Sequence, residues 1–186
     1  MPIIVCPRSP ARYSVRGMKA VTAQEIRSSF VNCSKGEASR LAIPRDLATR
    51  PWDDLDFLGW RDPSGSDRGC IVAEHGGRLT GVVLRCVPAS AAGRPIGGRS
   101  TMCSLCLTTH PGAGVTLMTA ALRKRRDNSV GIRICADLDC SLYLRGKKSP
   151  PPGGRLAESI TVAEKAERLR ASLEAFLDKI VAPVNV

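Results

Sequence analysis

Cys103-Ser104-Leu105-Cys106 and Cys135-Ala136-Asp137-Leu138-Asp139-Cys140 are the two stretches that decide how this chain is read. Thiols at i and i+3 suit a tight knuckle around one tetrahedral metal, and two more thiols complete a closed four-sulfur site. The 28 residues between Cys106 and Cys135 suffice for a hairpin that returns the second cluster to the first. A closed sulfur shell leaves no position for water or substrate, so the spacing predicts one structural zinc and not a catalytic one. The plainer alternative is four unrelated buried thiols, since cysteine packs as a small core residue. Two clusters with a hairpin between them favour the metal.

Composition bounds the rest. The chain has 186 residues, enough for one domain with a real core, and 43% of them are hydrophobic. Mean hydropathy is −0.07. Lys+Arg number 28 against 17 Asp+Glu, a net charge of +11. That balance favours polyanionic partners, namely RNA, ribosomes or an acidic protein surface. Only 4% aromatic residues argues against a base-stacking platform. Two histidines, no nucleophile–base pairing and a closed metal shell argue against an enzyme, and no small-molecule substrate is expected. Residues 1–17 hold Pro2, Pro7, Pro10 and several arginines, with an apolar run only from Ile3 to Cys6. That run is too short for a signal-peptide core or a membrane span. A cytoplasmic protein is expected, its eight cysteines thiols and metal ligands. Residues 1–17 read as a basic arm, or as a mis-assigned start with Met18 the true one, and 18–182 as a single domain.

Thr22-Ala23-Gln24-Glu25 is a capping box, with Val21 and Ile26 placed as a hydrophobic staple. The helix it opens carries Ile26, Phe30 and Cys33 on one face until Gly36 ends or bends it, with Arg27, Lys35 and Arg40 on its wet side. Phe57, Leu58 and Trp60 suit a strand. Asp53, Asp54 and Asp56 offer a hard-cation site or a solvated acidic turn, and the absence of a further carboxylate cluster favours the turn. Strands over 68–74 and 78–87 join at His75-Gly76-Gly77, because Gly-Gly tolerates the positive φ of a tight hairpin. His75 is expected exposed, Cys70 and Cys86 in the core, and 88–99 a loop. Strands over 115–122 and 130–134 are joined by Arg123-Lys124-Arg125-Arg126, read equally as a solvated turn or as a finger touching phosphates. His110 is set aside as a ligand because four cysteines already fill the shell. A helix opening at the second cluster puts Cys140 in its first turn and Asp137 and Asp139 near its positive end. Knuckle, hairpin and ligand-bearing helix outline a treble clef, here with C-x-x-x-x-C as the second pair. Arg145, Lys147 and Lys148 extend a positive surface beyond it. A second capping box, Thr161-Val162-Ala163-Glu164, opens a last helix with Leu169, Leu173, Phe176, Leu177 and Ile180 on one stripe that packs on the sheet. The expected fold is α+β: an antiparallel sheet with a variant four-cysteine treble-clef zinc finger over about 100–148, flanked by an N-terminal and a C-terminal helix.

Four segments carry a family resemblance: Phe30-Val-Asn-Cys-Ser-Lys-Gly-Glu37, Leu55-Asp-Phe-Leu-Gly-Trp-Arg-Asp62, Cys103-Ser-Leu-Cys-Leu-Thr-Thr109 and Ile134-Cys-Ala-Asp-Leu-Asp-Cys140. Together they resemble the elongation-factor-G-binding treble-clef proteins, relatives of the FusB-type fusidic acid resistance proteins, in an actinobacterial branch. The resemblance spans about 18–181. It implies that Cys103, Cys106, Cys135 and Cys140 bind zinc and that the zinc domain docks on the C-terminal domains of elongation factor G. In FusB-type proteins such docking helps a drug-stalled factor leave the ribosome. This chain departs from them in carrying only the helix at Thr22 where they have a separate N-terminal helical bundle. The alternative reading is a zinc-finger protein binding RNA or the ribosome directly.

Overall fold

Two short helices, each opened by a capping box, begin the chain; the computed structural model describes residues 17–63, 67–86, 100–123, 127–150, 152 and 158–182. In α1 (Ala23–Ser29) the Thr22 hydroxyl accepts from the Glu25 N–H, and the Glu25 carboxylate accepts from the Thr22 N–H at 2.7 Å. The helix stops at Phe30, where the backbone turns extended. Phe30 there forms a parallel bridge with Gly81, and the Val31 N–H donates to the Gly81 carbonyl at 2.9 Å. Glycine is needed at that crossing, since a β-carbon on Gly81 would lie 2.5 Å from the Ser29 hydroxyl. α2 (Lys35–Arg40) then starts at Ser34 with its own capping box to Glu37. The one helix expected from Thr22 to beyond Cys33 is therefore two, and Ser34-x-x-Glu37 was the signal for the second.

The strands are β1 (Leu58–Arg61), β2 (Arg68–His75), β3 (Arg78–Cys86), β4 (Thr101–Met102), β5 (Thr109–His110), β6 (Val115–Ala121) and β7 (Ser129–Cys135). β1-β2-β3-β6-β7 form an antiparallel sheet, and β4 and β5 pair as a small ribbon. The β2–β3 hairpin turns at Gly76 (φ 56°) and Gly77 (φ 72°), as their sequence predicted. His75 is not exposed there: its side chain is half-buried, and Nε2 lies 2.8 Å from Asp178. Between β3 and β6 the ladder pairs Arg85 with Thr119 and Cys86 with Met118. Two residues on from Arg85 and Thr119, at Val83 and Ala121, the side chain of Asn32 stands between the strands. Its amide donates to the Val83 carbonyl at 2.9 Å and the Ala121 carbonyl at 3.3 Å, and its oxygen accepts from the Val83 N–H at 2.8 Å. A buried side-chain amide thus completes the sheet where two backbones part.

α3 (Cys140–Leu144) follows the second cysteine cluster, and α4 (Val162–Val181) opens at Thr161 with the third capping box. α4 buries Ala166, Leu169, Leu173, Phe176, Leu177 and Ile180, the stripe its periodicity predicted, and packs on β7 and α3. Its end is fixed where the Arg123 N–H donates to the Ile180 carbonyl at 3.0 Å. Met118, Ala120, Ile132 and Ile134 alternate inward along β6 and β7. One apolar core runs from Met18 to Ile180 and includes all four clustered cysteines. Trp60 is buried and its indole N–H donates to the Ala42 carbonyl at 2.8 Å. Cys70 is buried, and burial pushes its thiol up to about 12. Cys86 is half-buried against the Arg61 guanidinium. Among the described residues, no helix is long and apolar enough to cross a membrane. The loop expected over 88–99 lies outside them.

Candidate metal centre

The first pair of sulfurs sits on a knuckle leaving β4. The Leu107 N–H closes it on the Cys103 carbonyl at 3.1 Å, and Leu107 itself takes a left-handed conformation (φ 57°). The Cys103 sulfur accepts from the Leu105 N–H at 3.4 Å. The Ser104 N–H donates to the Arg133 carbonyl at 2.8 Å and ties the knuckle to β7. β7 ends on Cys135, and Cys140 opens α3. Strand and helix therefore deliver the second pair to the first.

The four sulfurs lie within 4.8 Å of one another, and all four residues are buried. Cys103 and Cys140 sulfurs are 3.6 Å apart, and those of Cys106 and Cys135 are 3.5 Å apart. A tetrahedron with metal–sulfur bonds of about 2.3 Å has edges near 3.8 Å, so the cluster is of the right size for one zinc. The chemistry agrees. Hydrogen bonds from Cys106, Cys135 and Cys140 hold the Cys103 thiol far below its usual range. The bond to Cys103 pushes Cys135 far up, and burial pushes Cys140 up. Four such groups ionise together only around a cation, which a buried zinc supplies.

The loop between Cys135 and Cys140 is anchored on both sides. Leu138 is left-handed (φ 64°) and buried, and it turns into the core against Gly59 and Gly69. Asp139 occupies the N-cap position of α3 without a side-chain capping bond; its carboxylate and that of Asp137 hold the Lys148 ammonium at 2.6 and 2.8 Å. Tyr143 donates to Asp137 at 2.7 Å. Burial works to raise the Asp137 carboxyl, but bonds from Lys148 and Tyr143 outweigh it and hold it below its usual value. His110, set aside as a ligand, lies outside the four-sulfur set yet touches it. It is buried, Nε2 is 3.5 Å from the Cys135 sulfur, and its ring meets Tyr143 edge-on at 4.8 Å.

The expected positive surface is only partly a surface. Arg145 is an internal group: its side chain is 5% exposed and grips Asp56, which is fully buried, through Nη2–Oδ1 at 3.0 Å. Asp56 also takes Arg170 at 3.1 Å, and its N–H donates to Ser141 on α3 at 2.9 Å. Asp56 is therefore no part of a solvated acidic turn, because two guanidiniums compensate its burial. Lys148 is paired with the two aspartates, with 39% of its side chain left exposed. Lys147 is well exposed, 3.6 Å from Asp54, and Arg123 is exposed at the end of β6. Lys124, Arg125 and Arg126 lie outside the described residues.

A sulfur pair on a knuckle, a hairpin and a sulfur pair carried into a helix define a treble-clef zinc finger with one structural zinc. The chain matches the FBP C-terminal treble-clef zinc-finger family over residues 25–180, and it belongs to that family. No curated protein matches. Among solved structures, that of the fusidic acid resistance protein FusC matches at 14% identity with a TM-score of 0.49. The match covers 89% of this chain and 60% of FusC, so the chain spans about three-fifths of FusC's length.

Proposed function

We propose that this chain is a non-enzymatic cytoplasmic docking module that binds translation elongation factor G, its clef fixed by a zinc that Cys103, Cys106, Cys135 and Cys140 would hold. The observation that carries the reading is the closed, buried sulfur set. All four donors are used and none of them opens to solvent, so the metal supplies shape and leaves the work to the surface around it. Family membership and the four motifs that resemble elongation-factor-G-binding proteins support the choice of partner. In the FusB-type proteins docking frees a stalled factor from the ribosome, and the same release is proposed here.

A net charge of +11 draws the chain towards an acidic face of its partner. With Arg145 internal, the described groups proposed for that contact are Arg123, Lys147 and the outer side of Lys148; Lys124, Arg125 and Arg126 follow Arg123 in sequence. The test is a titration of zinc-loaded protein into purified elongation factor G, repeated with ribosomal RNA as competitor. Saturable binding that RNA does not abolish supports the reading. No binding to the factor, with tight salt-dependent binding to RNA, replaces it with the RNA-binding alternative.

A further inference from the structure

We propose that His110 is a positioning residue of the metal centre: its Nε2–H donates to the Cys135 sulfur and holds that thiolate in place. The inference rests on the zinc reading above and adds a group outside the sulfur shell. His110 belongs to β5, opposite Thr101 of β4, so the ribbon that carries the knuckle also carries this ring. The ring is held from two sides. Tyr143 packs on it edge-on, and Tyr143 is itself fixed through its hydroxyl to Asp137. On the other side the chain turns at Gly114, where an added β-carbon would lie 2.5 Å from the His110 β-carbon. A glycine there lets the backbone close over the ring. The result is a buried imidazole whose Nε2 is 3.5 Å from the Cys135 sulfur.

With metal bound, the Cys135 sulfur is a thiolate and only accepts. The proton in this contact therefore sits on Nε2, and the ring is a donor. Four thiolates on one dication carry excess negative charge, and each N–H directed at a sulfur draws some of it away. Cys103 receives such a bond from the Leu105 backbone; Cys135 receives its bond from His110. Among the described residues, His110 is the side chain outside the four cysteines that directs a nitrogen at a sulfur of the set.

The test compares wild type with His110→Phe and His110→Gln, all cobalt- or zinc-loaded. Loss of such an outer partner commonly weakens metal binding by about 10- to 100-fold. His110→Phe, which keeps a ring against Tyr143 but has no N–H, is expected to raise the rate of zinc transfer to a chelator by about that factor. It should also shift the sulfur-to-cobalt charge-transfer band, and His110→Gln, which keeps an N–H, should restore much of both. In the wild-type zinc protein, the imidazole nitrogen spectrum should show the Nε2-protonated tautomer, a readout that needs no variant. Wild-type transfer rate and band position in His110→Phe would overturn the proposal, and so would equal losses in both variants or an Nδ1-protonated ring. A cobalt spectrum showing three sulfurs and one nitrogen would make His110 a ligand and overturn it too. Wild-type protein that takes up no zinc would remove the zinc reading itself, and this proposal with it.

Discussion

Leu138 stands directly on Gly59: a β-carbon added to Gly59 would come within 2.6 Å of the Leu138 β-carbon and 2.8 Å of its carbonyl oxygen. This contact explains the unusual second cysteine pair. The two extra residues of C-x-x-x-x-C let Leu138 turn left-handed and drive its side chain into the core above β1 and β2. The zinc loop is thereby nailed to the sheet at the edge far from β7. Backbone on one side and a packed side chain on the other leave little room to give. Gly59→Ala is expected to cost about 1–3 kcal/mol through overpacking. Leu138→Ala, which leaves a cavity instead, is expected to cost about 2–5 kcal/mol. Urea unfolding of the zinc protein measures both. Wild-type stability in Gly59→Ala would mean that Leu138 does not sit there.

The Asp56–Arg145 pair makes the second link between the zinc half and the start of the sheet. Breaking a buried pair strands a charge, at about 3–5 kcal/mol. Asp56→Ala strands Arg145 and is expected to show that full loss. Arg145→Met should cost less, because Arg170 still faces Asp56 at 3.1 Å. In the proposed titration with elongation factor G, folded Arg145→Met should give the wild-type result, since the Arg145 side chain is only 5% exposed. Unchanged stability with lost binding would return Arg145 to the surface.

Removing the metal tests the centre itself. Cys103→Ser and Cys140→Ser are expected to lose zinc and unfold the C-terminal half, because a site of this kind contributes on the order of 10 kcal/mol to folding. Chelation of wild type should give the same loss of near-ultraviolet signal, reversed by added zinc. Melting curves and metal content equal to wild type would contradict this.

Much of this was legible in the sequence because its signals are local. Capping boxes at Thr22 and Thr161, the Gly76-Gly77 turn and the spacing of the four cysteines each depend on residues a few positions apart, and each element formed where expected. What stayed hidden is long-range. Nothing near Asp56 announces Arg145, 89 residues on. Asn32 looked like part of a helix because the gap it fills, between Val83 and Ala121, exists only once the sheet is assembled. Arg145 reads as surface by composition, yet it is claimed by a carboxylate that only folding brings to it. His110 gave no sign of its partner, since its relation to Cys135 depends on the ribbon and on Gly114.

Acid sensitivity should appear first at the helix starts. Glu25 and Glu164 have carboxyls held below their ordinary 4.5, chiefly by the backbone N–H of Thr22 and of Thr161, then by the threonine hydroxyls. A carboxyl lowered in the folded state adds stability above its unfolded value, and that stability is lost as pH falls through the folded one. Glu164→Gln keeps an acceptor for the Thr161 N–H but removes the charge and its titration. Its melting temperature should therefore fall below wild type near neutral pH, and the gap should close as pH drops below the ordinary 4.5 and through the lowered folded value. Glu25→Gln should behave alike at α1, with a smaller effect, because α1 has 7 residues against 20 in α4. A gap that stays constant from neutral to acid pH would show that the charge on Glu164 does not stabilise the cap, leaving the hydrogen-bond geometry alone to hold the start of α4.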